Sequence, residues 1–243
     1  MTDDGVKTTS RFLGLEGAEW GFVAKWVLAT AGGGVVGLLI GGLAFWGIAS
    51  RWDDPDVSMP MLLVSVATAF VSLAVSAVVG VVGIGTAQWL VLRTRVRRAG
   101  WWVLATTVGG IAGVVVGVIV GIAISGVVAI VLDVGGVQAV SLGVAIVVGG
   151  AVGGTAQWIV LRGHVRRAGW WVLATVLGVG MGGLVGSVVL WGVAGTMAPG
   201  SMVVDVAALS LGPVTGGVVI GAITGFVLAM YLRHPKAVSP TEM

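Results

Sequence analysis

The sequence predicts an all-α integral membrane protein, with six transmembrane helices arranged as three parallel-repeat helical hairpins. Three observations predict it. First, 57% of the 243 residues are hydrophobic and only 9% are charged, with a mean hydropathy of +1.10. Soluble domains carry about 25% charged residues, so this chain lacks the charge to cover a water-facing surface. It is also far too apolar to be disordered. Second, six apolar runs are long enough to cross a bilayer core, which takes about 20 residues of helix. Third, a long segment recurs almost unchanged within the chain. The absence of cysteine excludes disulfides, thiolate metal sites and cysteine nucleophiles together.

The first element, residues 1–21, is polar and acidic, with neither a basic n-region nor a short apolar h-region. It reads as a cytoplasmic N-terminal segment and not as a cleavable signal. The apolar runs follow at 22–49, 60–92, 101–132, 137–161, 170–196 and 203–232. Each is continuous, without the alternation that a barrel wall requires. The second and third exceed 30 residues, so they must tilt, bend at glycine or project past the lipid. Pro213, inside the sixth run, removes a helix hydrogen bond and predicts a kink. Residues 237–243 form a cytoplasmic tail.

The basic residues give the sidedness. Lys7, Arg11 and Lys25 precede or open the first run; Arg93, Arg95, Arg97 and Arg98 separate the second from the third. Arg162, Arg166 and Arg167, with His164, separate the fourth from the fifth, and Arg233 and Lys236 follow the sixth. Arg51 alone of the 13 lies opposite, beside Asp53, Asp54 and Asp56. By the positive-inside rule both termini are cytoplasmic in a cell (inner) membrane. The arginines of these turns, with Arg233, are expected to set topology and to meet anionic lipid headgroups. No soluble module frames them, so nucleic acid is not an expected partner.

GTAQWLVLRTRVRRAGWWVLAT at 85–106 returns as GTAQWIVLRGHVRRAGWWVLAT at 154–175, an offset of 69. A partial copy of its second half, KWVLAT, opens the first run, and a degenerate copy of its first half, GFVLAMYLR, closes the sixth. The chain thus divides into hairpin repeats at 22–98, 99–167 and 168–236. Two spans per unit give every unit the same orientation, related by an axis along the membrane normal. Counted from Trp26, Trp102 and Trp171, a threonine lies at offset 4 (Thr30, Thr106, Thr175). Glycines lie at offsets 7, 11 and 15: Gly33, Gly37 and Gly41; Gly109, Gly113 and Gly117; Gly178, Gly182 and Gly186. At 100° per residue these fall within about 80° of arc, one small-residue stripe of the glycine-zipper kind that lets helix backbones approach closely. No strand and no GxxxxGK[ST] accompany the glycines, so a phosphate loop is excluded.

Eight of the 11 tryptophans lie at cytoplasmic ends of spans, which predicts an aromatic belt at headgroup depth. A cation cage is the alternative. Gln88 and Gln157 lie one turn inside the arginine that ends each helix. A buried amide must find partners, and the threonines at matching depth supply them; the functional alternative makes Gln88, Gln157, Thr30, Thr106 and Thr175 line a pore or hold a ligand. No Lys, Arg or Glu lies deep in a span and both histidines are cytoplasmic. No catalytic residue, no metal site and no cofactor is therefore expected.

The repeated AQWxVLR and VRRAGWW units resemble multi-pass bacterial membrane proteins built from Gly-rich helical hairpins. The resemblance spans nearly the whole chain and implies membrane class and repetition, without an activity. The third repeat departs from the pattern, carrying Leu228 and Ala229 in place of Gln-Trp. The expected function is a non-enzymatic structural or accessory subunit or scaffold, packing with membrane lipids or other membrane subunits. The alternatives are a small-solute or ion pathway along the pseudo-threefold axis and, behind it, a pigment-binding subunit.

Overall fold

The computed structural model describes residues 17–49, 59–96, 99–132, 137–163, 165, 168–196 and 202–232. Among these residues it is all-helical apart from turns and one isolated bridge residue. The helices are α1 Gly17–Ala49, α2 Met59–Leu92, α3 Gly100–Leu132, α4 Val137–Leu161, α5 Trp170–Thr196 and α6 Met202–Leu232. Five of them contain a stretch long and apolar enough to cross a membrane: Ala74–Leu92, Gly100–Val127, Ser141–Leu161, Trp170–Leu190 and Ser210–Leu232. The expected first span, α1, is a helix but is not among those five, and the side chains of Leu38 and residues 41–49 lie outside the described set. The surroundings of Gly41 therefore lie outside it, as do Arg97, Arg98, His164, Arg166, Arg167, Arg233 and the tail 237–243.

One boundary differs from expectation. Helix α1 begins at Gly17, inside the segment read as a cytoplasmic N-terminal segment, because an apolar run marks lipid depth and not helix start. Glu19 in its first turn complements the helix dipole. Helix α6 carries Pro213 in its interior. There Gly212 packs on Gly186: a Cβ on either would lie 2.6 or 2.7 Å from the other's carbonyl oxygen.

Each outgoing helix packs on its own returning helix through backbone. A Cβ added to Gly33 would stand 2.6 Å from Ile84 Cα, and Gly37 meets Gly80. Gly109 lies against Gly153 and Ala156, Gly113 against Gly149 (2.6 Å from added Cβ to carbonyl oxygen), and Gly117 against Ala145. In the third hairpin Gly178 meets Ile220, while Gly182 and Gly186 meet the Gly216 and Gly212 carbonyls, each at 2.6 Å. Lipid tails are as apolar as leucine, so such close approach gives the dispersion and Cα–H contacts that hold helices together where hydrophobic exclusion cannot.

The hairpins then close. Helix α2 packs on α3, α4 on α5, and α6 returns against α1. Among the described residues no two helices approach backbone to backbone across the resulting ring. The joints between hairpins are again glycine-mediated. Gly85 faces Val103 and Thr106, Gly154 faces Val172 and Thr175, and Gly221 faces Val27 and Thr30. Leu28, Leu104 and Leu173 are exposed, as an outward face turned to lipid requires.

Candidate functional site

The ring's most buried region lies where the turns between hairpins gather, at the end the basic residues mark. Trp26, Trp102 and Trp171, one per hairpin, are 0–1% exposed. Their rings meet edge to face around the axis. Centroids are 5.7 Å apart for Trp26–Trp102, 5.5 Å for Trp102–Trp171 and 6.2 Å for Trp26–Trp171, with interplanar angles of 66°, 70° and 83°. This is the arrangement the aromatic quadrupole favours, worth about 0.5–1.5 kcal/mol per pair beyond burial.

The belt expectation is thereby corrected for these three tryptophans. In each Trp-Trp pair the residues are 100° apart on the helix, so the two rings face different ways. The first, Trp101 or Trp170, is 60% exposed, and the second turns to the axis. Trp20, Trp101 and Trp170 keep outward positions.

The turns fold inward beneath the layer. Val96 donates its N–H to Leu92 and Val165 to Leu161, at 2.9 and 3.0 Å; Trp102 donates to Ala99 and Trp171 to Ala168, at 2.9 and 3.0 Å. Each VRRA unit therefore tucks its valine and alanine into the core, while Arg93, Arg95 and Arg162 stay exposed. In the first hairpin the opening turns of α1 supply the corresponding apolar residues. Val23 occupies the position of Ala99 and Ala168, while Phe22 stacks on Trp26 at 6.0 Å.

Each indole N–H is held by a neighbouring hairpin. Trp102 Nε1 donates to Gln88 Oε1 and Gln88 Nε2 donates to Thr30 Oγ1, both at 3.0 Å; Thr30 donates to the Trp26 carbonyl at 2.9 Å. One repeat on, Trp171 Nε1 donates to Gln157 Oε1 and Gln157 Nε2 to Thr106 Oγ1, again at 3.0 Å. Each glutamine thus ties three helices: its own, the outgoing helix of its hairpin and the outgoing helix of the next.

The third joint is built differently. Leu228, fully buried, stands where the amide would be. Trp26 Nε1 donates instead to Thr224 Oγ1 at 3.0 Å, and the Thr224 hydroxyl donates in turn to the Ile220 carbonyl at 2.7 Å. Thr175 donates to the Trp171 carbonyl at 2.9 Å, as Thr30 does to that of Trp26, but Leu228 in the amide's place brings no glutamine to it. Among the described residues no buried side-chain nitrogen or oxygen is without a partner.

Two readings from the sequence are refined here. The stripe at offsets 0 to 15 serves different neighbours: the tryptophan meets the axis and the adjoining hairpin, the glycines meet their own returning helix, and the threonine meets the adjoining hairpin's glycine and, at Thr30 and Thr106, the glutamine of its own returning helix. The repeat pattern does not single out Thr224, because it points to the Gln-Trp positions and the substitute lies one turn earlier. A polar residue four before Leu228, on the same helix face, is the signal that marks it.

No protein-family model, no curated protein and no solved structure matches the chain.

Proposed function

We propose that the chain is a six-span, multi-pass protein of the cell membrane with both termini cytoplasmic, acting as a non-enzymatic structural or accessory subunit. The observation that carries this reading is the closed accounting of the polar layer. The amides of Gln88 and Gln157 and the hydroxyls of Thr30, Thr106 and Thr224 bond to one another, to indoles and to backbone. Their hydrogen bonds are engaged in joining hairpins, and three indoles cross the axis at the same level. Such a body presents lipid and partner subunits with a rigid apolar exterior.

Closure of the ring favours one rival, a pathway along its axis with the indoles as its cytoplasmic barrier. Gln157→Leu separates the two. In purified protein returned to liposomes, the structural reading expects a modest loss of thermal stability, since an interhelical hydrogen bond in a membrane is typically worth about 0.6 kcal/mol and at most about 1.7. It expects no change in the leak of ions or small neutral solutes. Altered flux or selectivity in a folded variant would reject it in favour of the pathway.

A further inference from the structure

Beyond the indole layer the three joints between hairpins are built unequally. The repeat places Gly85, Gly154 and Gly225 in equivalent positions on α2, α4 and α6. One turn further from the basic end, α4 and α6 carry a second glycine, Gly150 and Gly221, where α2 carries Val81. A Cβ added at Gly221 would stand 2.8 Å from Val27 Cα and, a turn beyond, one at Gly217 would stand 3.0 Å from Ala31 Cα. The α6–α1 joint is therefore backbone against backbone. The α4–α5 joint is looser but continuous. A Cβ at Gly150 would lie 3.4 Å from Val176 Cα, and beyond it Gly183 receives the Ile146 side chain, whose Cδ1 is 3.2 Å from an added Cβ.

The α2–α3 joint stops short. Val81 fills the hollow over Gly110, with its Cγ1 2.6 Å from an added Cβ. A turn beyond, Ala77 stands where α4 has Ile146, and Val114 where α5 has Gly183, so the long side chain and the hollow that would receive it are both missing. Val114 shares the face of α3 that presents Val103 and Gly110 to α2, yet it is 51% exposed, and Val118 a turn further is 49% exposed. Their counterparts Gly183 and Ser187 are partly buried. Of the six neighbouring helix pairs, α2 and α3 share the least extensive contact. Between helices in lipid only such contact holds a joint closed, because hydrophobic exclusion contributes nothing.

We propose that the ring parts at the α2–α3 joint: the stretches of α2 and α3 beyond Val81 and Gly110 separate and rejoin, while the other end is held. The hinge is the packing of Gly85 on Val103 and Thr106 together with the bond from Trp102 Nε1 to Gln88. The polar layer stays rigid, and movement is confined to the part of the ring beyond it. Parting there opens the axis sideways to the surrounding hydrocarbon. That last step rests on the membrane reading, which is tested separately by whether extraction requires detergent, whereas the parting itself is measured within the chain.

The test is pulsed electron paramagnetic resonance on the full chain in lipid nanodiscs, with spin labels carried by a pair of introduced cysteines. Val78→Cys/Val118→Cys spans the α2–α3 joint, and Val147→Cys/Ser187→Cys is its repeat counterpart across α4–α5. The first pair should give a distance distribution about twice as broad as the second, extending to longer distances, as slow collective motion at one joint requires. Ala77→Ile/Val114→Gly gives the first joint the interlocking pair of the second. It should narrow the first distribution to the width of the second and leave the second unchanged, with a melting temperature no lower than before. Should that graft fail to fold, the comparison of the two label pairs alone decides. The inference is overturned if the two distributions are equally broad, if α4–α5 gives the broader one, or if the folded graft leaves the first unchanged.

Discussion

Two of the three joints in this ring are copies, and the third performs the same task with different atoms. At the first and second joints an amide from a returning helix accepts the indole hydrogen of the next hairpin and donates to its own threonine. At the third, Leu228 fills the amide's place and the hydroxyl of Thr224, one turn deeper, accepts from Trp26. The difference teaches what the layer requires. A buried indole N–H needs an acceptor whatever its source, since leaving it unpaired costs about 1–3 kcal/mol. The second half of the glutamine's work, the bond to threonine, can be dispensed with. Thr175 satisfies its own hydroxyl on the Trp171 carbonyl, which threonine in a helix does readily.

The comparison breaks most severely at the rings themselves. Trp102→Ala removes a side chain 1% exposed that touches both other indoles, and it strands the Gln88 carbonyl. Loss of a buried tryptophan costs about 3–5 kcal/mol. We expect a large fall in the unfolding midpoint in detergent, whereas the same change at the exposed Trp101 should move it little. Equal effects at the two positions would mean that the inward-facing assignment is wrong.

A smaller effect sharpens the contrast between joints. Thr224→Val should cost about 1 kcal/mol by stranding the Trp26 N–H, and Leu228→Gln alone should also destabilise by burying an amide with no vacant donor to meet. Together they should recover part of the loss, because the introduced amide would then take the Trp26 hydrogen as Gln88 and Gln157 take those of the other two indoles. A double-mutant cycle should give a favourable coupling above about 0.5 kcal/mol. Strict additivity would show that the joints are not interchangeable.

Much of the helical frame is legible from apolarity alone. The runs at 60–92, 137–161 and 203–232 differ from α2, α4 and α6 by at most one residue at either end. The hydrogen bonds from Gln88 to Thr30 and from Gln157 to Thr106 are accessible because a buried amide has few partners at its depth. The inward tryptophans are not accessible. A tryptophan near a span's end satisfies the interfacial preference equally well facing lipid or axis, and only the three-body arrangement of hairpins decides between them. Trp26 makes this hardest, since it has no adjacent tryptophan to mark one face as already taken. The replacement at Thr224 is hidden for a related reason: repeats align by residue, whereas acceptors recur by position in space.

Closure of the ring between the first and last helices is the central claim, and the cysteine-free sequence allows a direct test. A Cβ added at Gly217 would lie 3.5 Å from Ala31 Cβ, within the separation a disulfide spans, about 3.5–4.5 Å. The Ala31→Cys/Gly217→Cys variant should therefore cross-link within one chain when native membranes are treated with an apolar copper oxidant. Both thiols should be lost to labelling while the protein remains at monomer mass, and neither single variant should do so. Free thiols in the folded double variant, or cross-linking only between chains, would contradict the closed ring and leave the hairpins in an open row.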